Sequence, residues 1–363
     1  MTEEPAGQSP PEEWWPQRGP RWEPTTALKP ACPCIDVHSH LSVPAAEVLA
    51  KPYFRPEMDP RSLFSSEESL RYNREVRYAP EQVARFEEPE ARIEDMDKQG
   101  IDVQVLSVPP TEYFYWLEEE PAIRACRLQH ERLAEVVSRH PDRFVAVANL
   151  PMDHPTIATE VMEEAHRDFA FNGFEISADV NGGELDDRRF DPVWDKASEL
   201  EMTVILHPQG FTEGQRMGDY YLVNVICMPL ASTLAVTRMI LGAVWERHPG
   251  LTMVVVHGGG YLPYYFGRTD HAFEVRPELR KHIARRPSDY LRTLHFDTAV
   301  FEPRMIEYLV EEFGADHVLL GTDYPFDMGP TDPLGFLARA RLDEESRALI
   351  VGGNAARLLR IGR

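Results

Sequence analysis

Eight short runs of mainly apolar, β-branched residues recur along the chain: 34–40 (CIDVHSH), 103–110 (VQVLSVPP), 144–151 (FVAVANLP), 173–180 (GFEISADV), 202–208 (MTVILHP), 251–260 (LTMVVVHGGG), 293–300 (TLHFDTAV) and 317–325 (HVLLGTDYP). Between them apolar positions return at helical spacing, most clearly at 89–100, 122–140, 190–201, 229–250 and 302–314. In the last of these Met305, Ile306, Leu309, Val310 and Phe313 share one face, and Gly314 stands where a helix C-cap belongs. Strands apolar on both faces that alternate with helices predict a parallel sheet covered on both sides. Eight such units predict an α/β fold of the (β/α)8 barrel type, with a long insertion between the first and second strands. The rival, an open doubly wound sheet, lacks a glycine-rich dinucleotide fingerprint after the first strand.

Residues 1–30 break this rhythm. Proline stands at 5, 10, 11, 16, 20, 24 and 30 among few apolar residues, which predicts an extended arm with Trp14 and Trp15 as its anchors. The domain reading is therefore an arm over 1–30 and one catalytic barrel over 31–363. Composition narrows the function. With 60 acidic against 38 basic residues the formal charge is −22, which opposes binding to nucleic acid or to an anionic membrane. No apolar stretch was expected to approach the roughly 18–20 residues that span a bilayer, and the acidic, proline-rich start is unlike a signal peptide, so a cytoplasmic location is expected. The 4 cysteines are too scattered for a disulfide framework, and Cys32 and Cys34 have no second cysteine pair with which to form a zinc site.

The polar residues that interrupt the runs fall at their ends, where the chemistry of a barrel sits. His38 and His40 close the first run, His207 the fifth, His257 the sixth and Asp323 the eighth. Any one of these could be an ordinary structural residue; five at the same end of the predicted barrel form a constellation. Residues i and i+2 of a strand share a face about 6.5–7 Å apart, so His38 and His40 can reach one ion through bonds of about 2.0–2.1 Å. With His207 and Asp323 they make a mixed nitrogen and oxygen set suited to one divalent ion, Zn2+ foremost, Mn2+ or Fe2+ as alternatives. His257 is left as the general acid/base, with Asp323 counted in the catalytic set as well as among the ligands. The glycines at 258–260 bring the backbone close to substrate or simply make a tight turn. Asp297, which closes the seventh run, either orients a ligand histidine or caps the helix over 302–314. Glu175 points into the barrel and is not taken as a ligand.

The segments DVHSH, LHP, HGGGYLPYYFGRTD and GTDYPF, in this order, closely resemble the metal-dependent amidohydrolase superfamily. The likeness is to its branch of 2-amino-3-carboxymuconate-6-semialdehyde decarboxylase and hydroxybenzoate decarboxylases. It runs from Ile35 to the C-terminal GGNAARLLRI and takes in 91–107 and 285–301. The resemblance implies a (β/α)8 barrel in which His38, His40, His207 and Asp323 bind one divalent metal, usually zinc, and His257 is the catalytic histidine. It implies that Arg268 reaches a substrate carboxylate across a homodimer interface, and that a second substrate arginine is Arg74 or Arg77. Gln209, taken as a substrate-binding candidate, stands where the semialdehyde decarboxylase has a tryptophan, and Ser232 where it has a glutamate. The activity so implied is non-oxidative decarboxylation of a carboxylated aromatic or unsaturated, muconate-like acid. The alternative in the same fold is a hydrolase or hydratase acting on an amide, a lactone or a vinylogous C–C bond.

Overall fold

The computed structural model describes residues 32–55, 66–210 and 214–362. The arm over 1–30, with Trp14 and Trp15, lies outside the described residues. Parallel strands β1 (Ile35–His40), β2 (Val103–Ser107) and β3 (Phe144–Ala146) pair in that order. Val147 then separates β3 from β4 (Ala148–Asn149), and its N–H donates to the Leu106 carbonyl, so the two make one barrel staff. Strands β5 (Gly173–Ile176), β8 (Thr203–Leu206), β9 (Thr252–Val255), β10 (His295–Asp297) and β11 (Val318–Leu319) continue the parallel series from β4, while β6 (Asp179–Val180) and β7 (Gly183–Glu184) form a separate antiparallel hairpin. The barrel closes between its last and first staves. Val37 N–H donates to the Leu320 carbonyl, Asp323 N–H to that of His38 and His40 N–H to that of Tyr324.

Two apolar layers hold the wall. Ile35, Val37, Val105, Val147, Ile205, Val254 and Leu319 meet inside the barrel, and Ala355 and Leu359 close its floor. Leu106, Phe174, Val204, Val255 and Phe296 belong to the larger layer between barrel and helices. Burying each of these side chains contributes roughly 1.5–3 kcal/mol. A one-residue slip would exchange the layers and carry Glu175 and Asp297 outward, so the two layers also fix the register.

The helices form close to where periodicity places them, at Pro89–Gln99, Glu119–Arg139, Asp191–Glu199 and Pro303–Phe313. Gly100 ends the first in the left-handed region, and Gly314 caps the last at φ 93°. The run expected over 229–250 is broken. Met228–Leu241 ends at Gly242, Ala243 turns left-handed at φ 61°, and Val244–Arg247 adds one further turn.

That helix corrects an expectation. Together with the π-helical turn before it, Val223–Leu241 makes 19 helical residues, with a mean hydropathy of 1.5 over 18 of them, long and apolar enough by length and composition to cross a bilayer. The apolar stretch begins ahead of the run read from periodicity and carries only Arg238 as a charge. Ala231, Ala235, Val236, Met239 and Ile240 pack it onto the core.

Candidate metal centre and active site

Strand β1 brings two histidines to the barrel mouth by way of an irregularity. From Asp36 to Ser39 is three steps on β1, whereas their partners Gln104 and Leu106 are two steps apart on β2. The extra residue is a bulge, and it separates Asp36 from the histidines that plain alternation would put on its face. Asp36 bonds Gln104 and Thr322 on the outer side of the wall. His38 and His40 turn to the interior, their ring centroids 5.2 Å apart. His207, one residue beyond β8, brings its ring to 4.9 Å from each of them, and His257 stands 5.0 Å from His207.

Asp323 lies at the centre. Its Oδ1 is 3.3 Å from His38 Nε2, 3.2 Å from His40 Nε2 and 3.8 Å from His207 Nε2, and its Oδ2 is 3.7 Å from His257 Nε2. Donor atoms of His38, His207, His257 and Asp323 all lie within 4.8 Å of one another. Burial alone would raise the Asp323 carboxyl; the imidazoles of His38, His207 and His257 hold it well below the ordinary carboxylate range. Burial and the neighbouring rings keep His207 well below the usual histidine value, despite Asp323. The sequence placed His38, His40, His207, His257 and Asp323 at one mouth, and the fold brings all five to it; the four whose donor atoms meet most closely include His257 and leave out His40, the reverse, for those two, of the ligand set read from the sequence.

The outer nitrogens of His38, His40 and His207 are already engaged, whereas His257 Nδ1 is buried without a hydrogen-bond partner. Asp297 Oδ2 accepts from His38 Nδ1 at 2.7 Å, and the Pro208 carbonyl accepts from His207 Nδ1 at 2.9 Å. His40 Nδ1 lies 3.1 Å from Ser107 Oγ and 3.3 Å from the Val108 carbonyl. Such partners fix the tautomer and aim Nε2 inward. The Nε2 atoms of His38 and His207 are buried without a hydrogen-bond partner. Buried nitrogens left unsatisfied around a carboxylate are costly as they stand, and a divalent cation would satisfy them together, so the residues fit a metal ion.

Asp297 Oδ1 also accepts from the N–H groups of Gly258 and Ala299, while Glu302 caps the helix Pro303–Phe313. Of the two readings of Asp297, the contact with His38 is the one present. Glu175 is buried and accepts from the Tyr113 hydroxyl at 2.8 Å, with His40 Nδ1 3.9 Å away. The glycines at 258–260 resolve toward the tight turn. All three have positive φ, and a Cβ on Gly259 would lie 2.6 Å from the Phe296 ring, against the protein itself rather than in the cleft. His257 opens that turn at φ 55° and leaves 17% of its side chain exposed, more than any other member of the cluster.

A cleft opens over His207, His257 and Asp323. Arg77 enters its wall, stacked 4.7 Å over the Phe326 ring, whereas Arg74 is exposed and outside it. Gln209 lines it with Nε2 buried and unpaired. Ser232 does not, being buried in its helix and bonded to the Met228 carbonyl. Arg268 is exposed on the helix Leu262–Val275 and takes no part in this chain's own cleft. Sequence reasoning missed Asn73, Tyr221 and Asn224 in the walls. Asn73 and Arg77 lie on one π-helical turn (Asn73–Arg77) and Asn224 on another (Val223–Cys227), and no sequence pattern announces such turns.

The sequence model of the amidohydrolase family matches residues 35–361. The 2-amino-3-carboxymuconate-6-semialdehyde decarboxylase of Dictyostelium discoideum is 31% identical over 274 residues, covering 75% of this chain and 76% of that protein. The gamma-resorcylate decarboxylase of Rhizobium sp. (strain MTP-10005) is 27% identical over 285 residues, covering 75% and 87%. Among solved structures, a dihydroxybenzoic acid decarboxylase from Polaromonas sp. JS666, with bound manganese and the inhibitor 2-nitroresorcinol, superposes with a TM-score of 0.77 at 21% identity, covering 91% of this chain and 98% of that one.

Proposed function

This chain belongs to the amidohydrolase family, and from that premise we propose that it is a metal-dependent carboxy-lyase releasing CO2, without oxidation, from a carboxylated aromatic or unsaturated acid. The observation that carries the reading is the pair of buried Nε2 atoms of His38 and His207, without a hydrogen-bond partner and gathered on Asp323 beneath an open cleft.

His38, His40, His207 and Asp323 would hold one divalent ion, zinc or manganese by their donor chemistry. When bound, such an ion supplies positive charge that polarises the acid's oxygens. The remaining work falls to the chain's own groups. Arg77 and Gln209 offer N–H donors to the substrate's oxygens from the cleft wall. His257, the cluster's most exposed ring, gives its proton to the carbon that bears the carboxylate. A C–H bond forms there and the carbon becomes tetrahedral. The bond to the carboxylate then breaks, its electron pair returns to the conjugated system, and CO2 leaves. His257 recovers its proton from solvent.

The catalytic unit in this reading is the barrel of residues 31–363, working in the cytoplasm as a homodimer in which Arg268 reaches the cleft of the second copy. The exposure of Arg268 supports this, as does Tyr265, 66% exposed on the same helix beside an apolar groove bounded by Ile240 and Leu262.

The deciding experiment incubates the metal-loaded protein with a panel of ortho-hydroxy and ortho-amino carboxylic acids in D2O. The expected result is CO2 together with a product deuterated at the carbon that carried it. A product that keeps its carboxylate and gains water would replace this reading with a hydrolase or hydratase.

A further inference from the structure

Arg92 is wholly buried. It belongs to the helix Pro89–Gln99, in the long connection between β1 and β2, and meets β1 from the outer side of the barrel wall. Nη1 donates to the His40 carbonyl at 2.5 Å and to the Arg85 carbonyl at 3.0 Å; Nη2 donates to Gln104 Oε1 at 3.0 Å. The Gln104 amide turns its own Nε2 to Asp36 Oδ2 at 3.1 Å. Asp36 is also wholly buried, and it accepts in addition from His38 N–H at 3.1 Å, Thr322 N–H at 3.0 Å and Thr322 Oγ1 at 2.6 Å. The guanidinium covers the Tyr324 ring, its carbon 4.8 Å from the centroid.

A basic and an acidic side chain, both without solvent, are thus joined through a single amide, and apart from the Arg85 carbonyl their other contacts fall on three short pieces of chain. These are the bulged backbone of His38–His40, Thr322 just before Asp323, and Tyr324 just after it. Buried ion pairs add little net stability over well-packed apolar groups of equal volume, because desolvation cancels most of the attraction. What charged, directional contacts add is geometry. Geometry is what β1 lacks locally, since the bulge takes its backbone out of regular register with β2.

We propose that Arg92, acting with Gln104 and Asp36, is a positioning residue of the metal centre. It holds the carbonyl of His40 and, through Gln104 and Asp36, the N–H groups of His38 and Thr322, so that three donors on two strands keep one arrangement. The proposal rests on the reading of His38, His40 and Asp323 as metal donors.

The test strips purified full-length protein with a chelator, reloads it with Co2+, and records its visible absorption band together with its affinity against a competing chelator. Arg92→Met, Arg92→Lys and Gln104→Leu are expected to take up one equivalent, with affinity lower by about 10–100-fold and a displaced band. Val236→Ala, a cavity in the outer layer, lowers the melting temperature and leaves the band in place. Wild-type band and affinity in Arg92→Lys and Gln104→Leu would overturn the proposal while leaving the donor reading intact, and these two variants decide the matter if Arg92→Met does not fold. No Co2+ uptake by the wild type, or unchanged uptake by His38→Ala, removes the donor reading and the proposal with it.

Discussion

Asp297 stands directly behind His38. Both side chains are wholly buried, and Asp297 Oδ2 accepts from Nδ1 at 2.7 Å while Oδ1 accepts two backbone N–H groups. Every contact on the carboxylate is therefore a donor, so it has no tolerance for an N–H of its own. Asp297→Asn places an amide NH2 against one of those donors and releases His38 to the other tautomer. Metal affinity should fall by about 10–100-fold, with the melting temperature becoming less responsive to added Zn2+ or Mn2+. A chelator titration checks the first and a thermal scan the second; unchanged affinity would mean that Asp297 serves the fold alone.

In the proposed mechanism His257 contributes the proton and is outside the ligand set. His257→Asn should bind metal at wild-type stoichiometry and lose about 10²–10⁴-fold in kcat. Elemental analysis beside single-turnover kinetics separates the two. Loss of the metal along with activity would make His257 a ligand.

The two candidate arginines differ in place. Arg77 lines the cleft over Phe326, whereas Arg74 is exposed outside it. Arg77→Met should raise KM about 10-fold or more by removing a charged donor to the substrate, an effect of the size expected for a charge-assisted hydrogen bond. Arg74→Met should leave both kcat and KM within about twofold. The reverse pattern in steady-state kinetics would assign the role to Arg74.

Glu112 supplies a pH dependence of its own. Burial, reinforced by Glu47, pushes its carboxyl up from 4.5 to about 8, against the N–H of Val43, which it accepts. Between those two values the native protein holds a proton that the unfolded chain has lost, so stability falls as pH rises across that window, by at most roughly 1.4 kcal/mol per unit. Below the window the stability is fully present; above it the loss is complete. Glu112→Gln keeps an acceptor for Val43 and cannot ionise, so chemical denaturation from pH 5 to 8 should show a flatter profile than wild type. Parallel profiles would show that Glu112 does not titrate in this range.

Most of the barrel was readable because each staff is a local pattern: a short β-branched run, then an amphipathic helix with a glycine or proline at its boundary. His207, His257 and Asp323 were readable for the same reason, each ending a run whose neighbours specify the strand. The helix boundary at Gly242 and Ala243 was missed because a left-handed alanine has no local signature; Ala243, Val244 and Trp245 are buried in the core there. The walls of the cleft were illegible for a related reason. Asn73 and Asn224 reach it from π-helical turns, where the spacing departs from 3.6 residues and period analysis loses its phase; Arg77, on the same turn as Asn73, was named only through the family resemblance and beside Arg74.

The strand at 34–40 separates what is local from what is not. Alternation puts Asp36, His38 and His40 on one face, and the order of residues alone establishes that two imidazoles end the first strand of a barrel and can share an ion. The bulge against β2 sends the carboxylate of Asp36 to the outer wall and the two rings to the mouth, a division of labour that alternation does not contain. The physical reason is that a bulge is set by the pairing of two strands and by what packs on either side of them. Its determinants here, Gln104, Arg92 and Thr322, come from elsewhere in the chain, Thr322 from 286 residues away from Asp36.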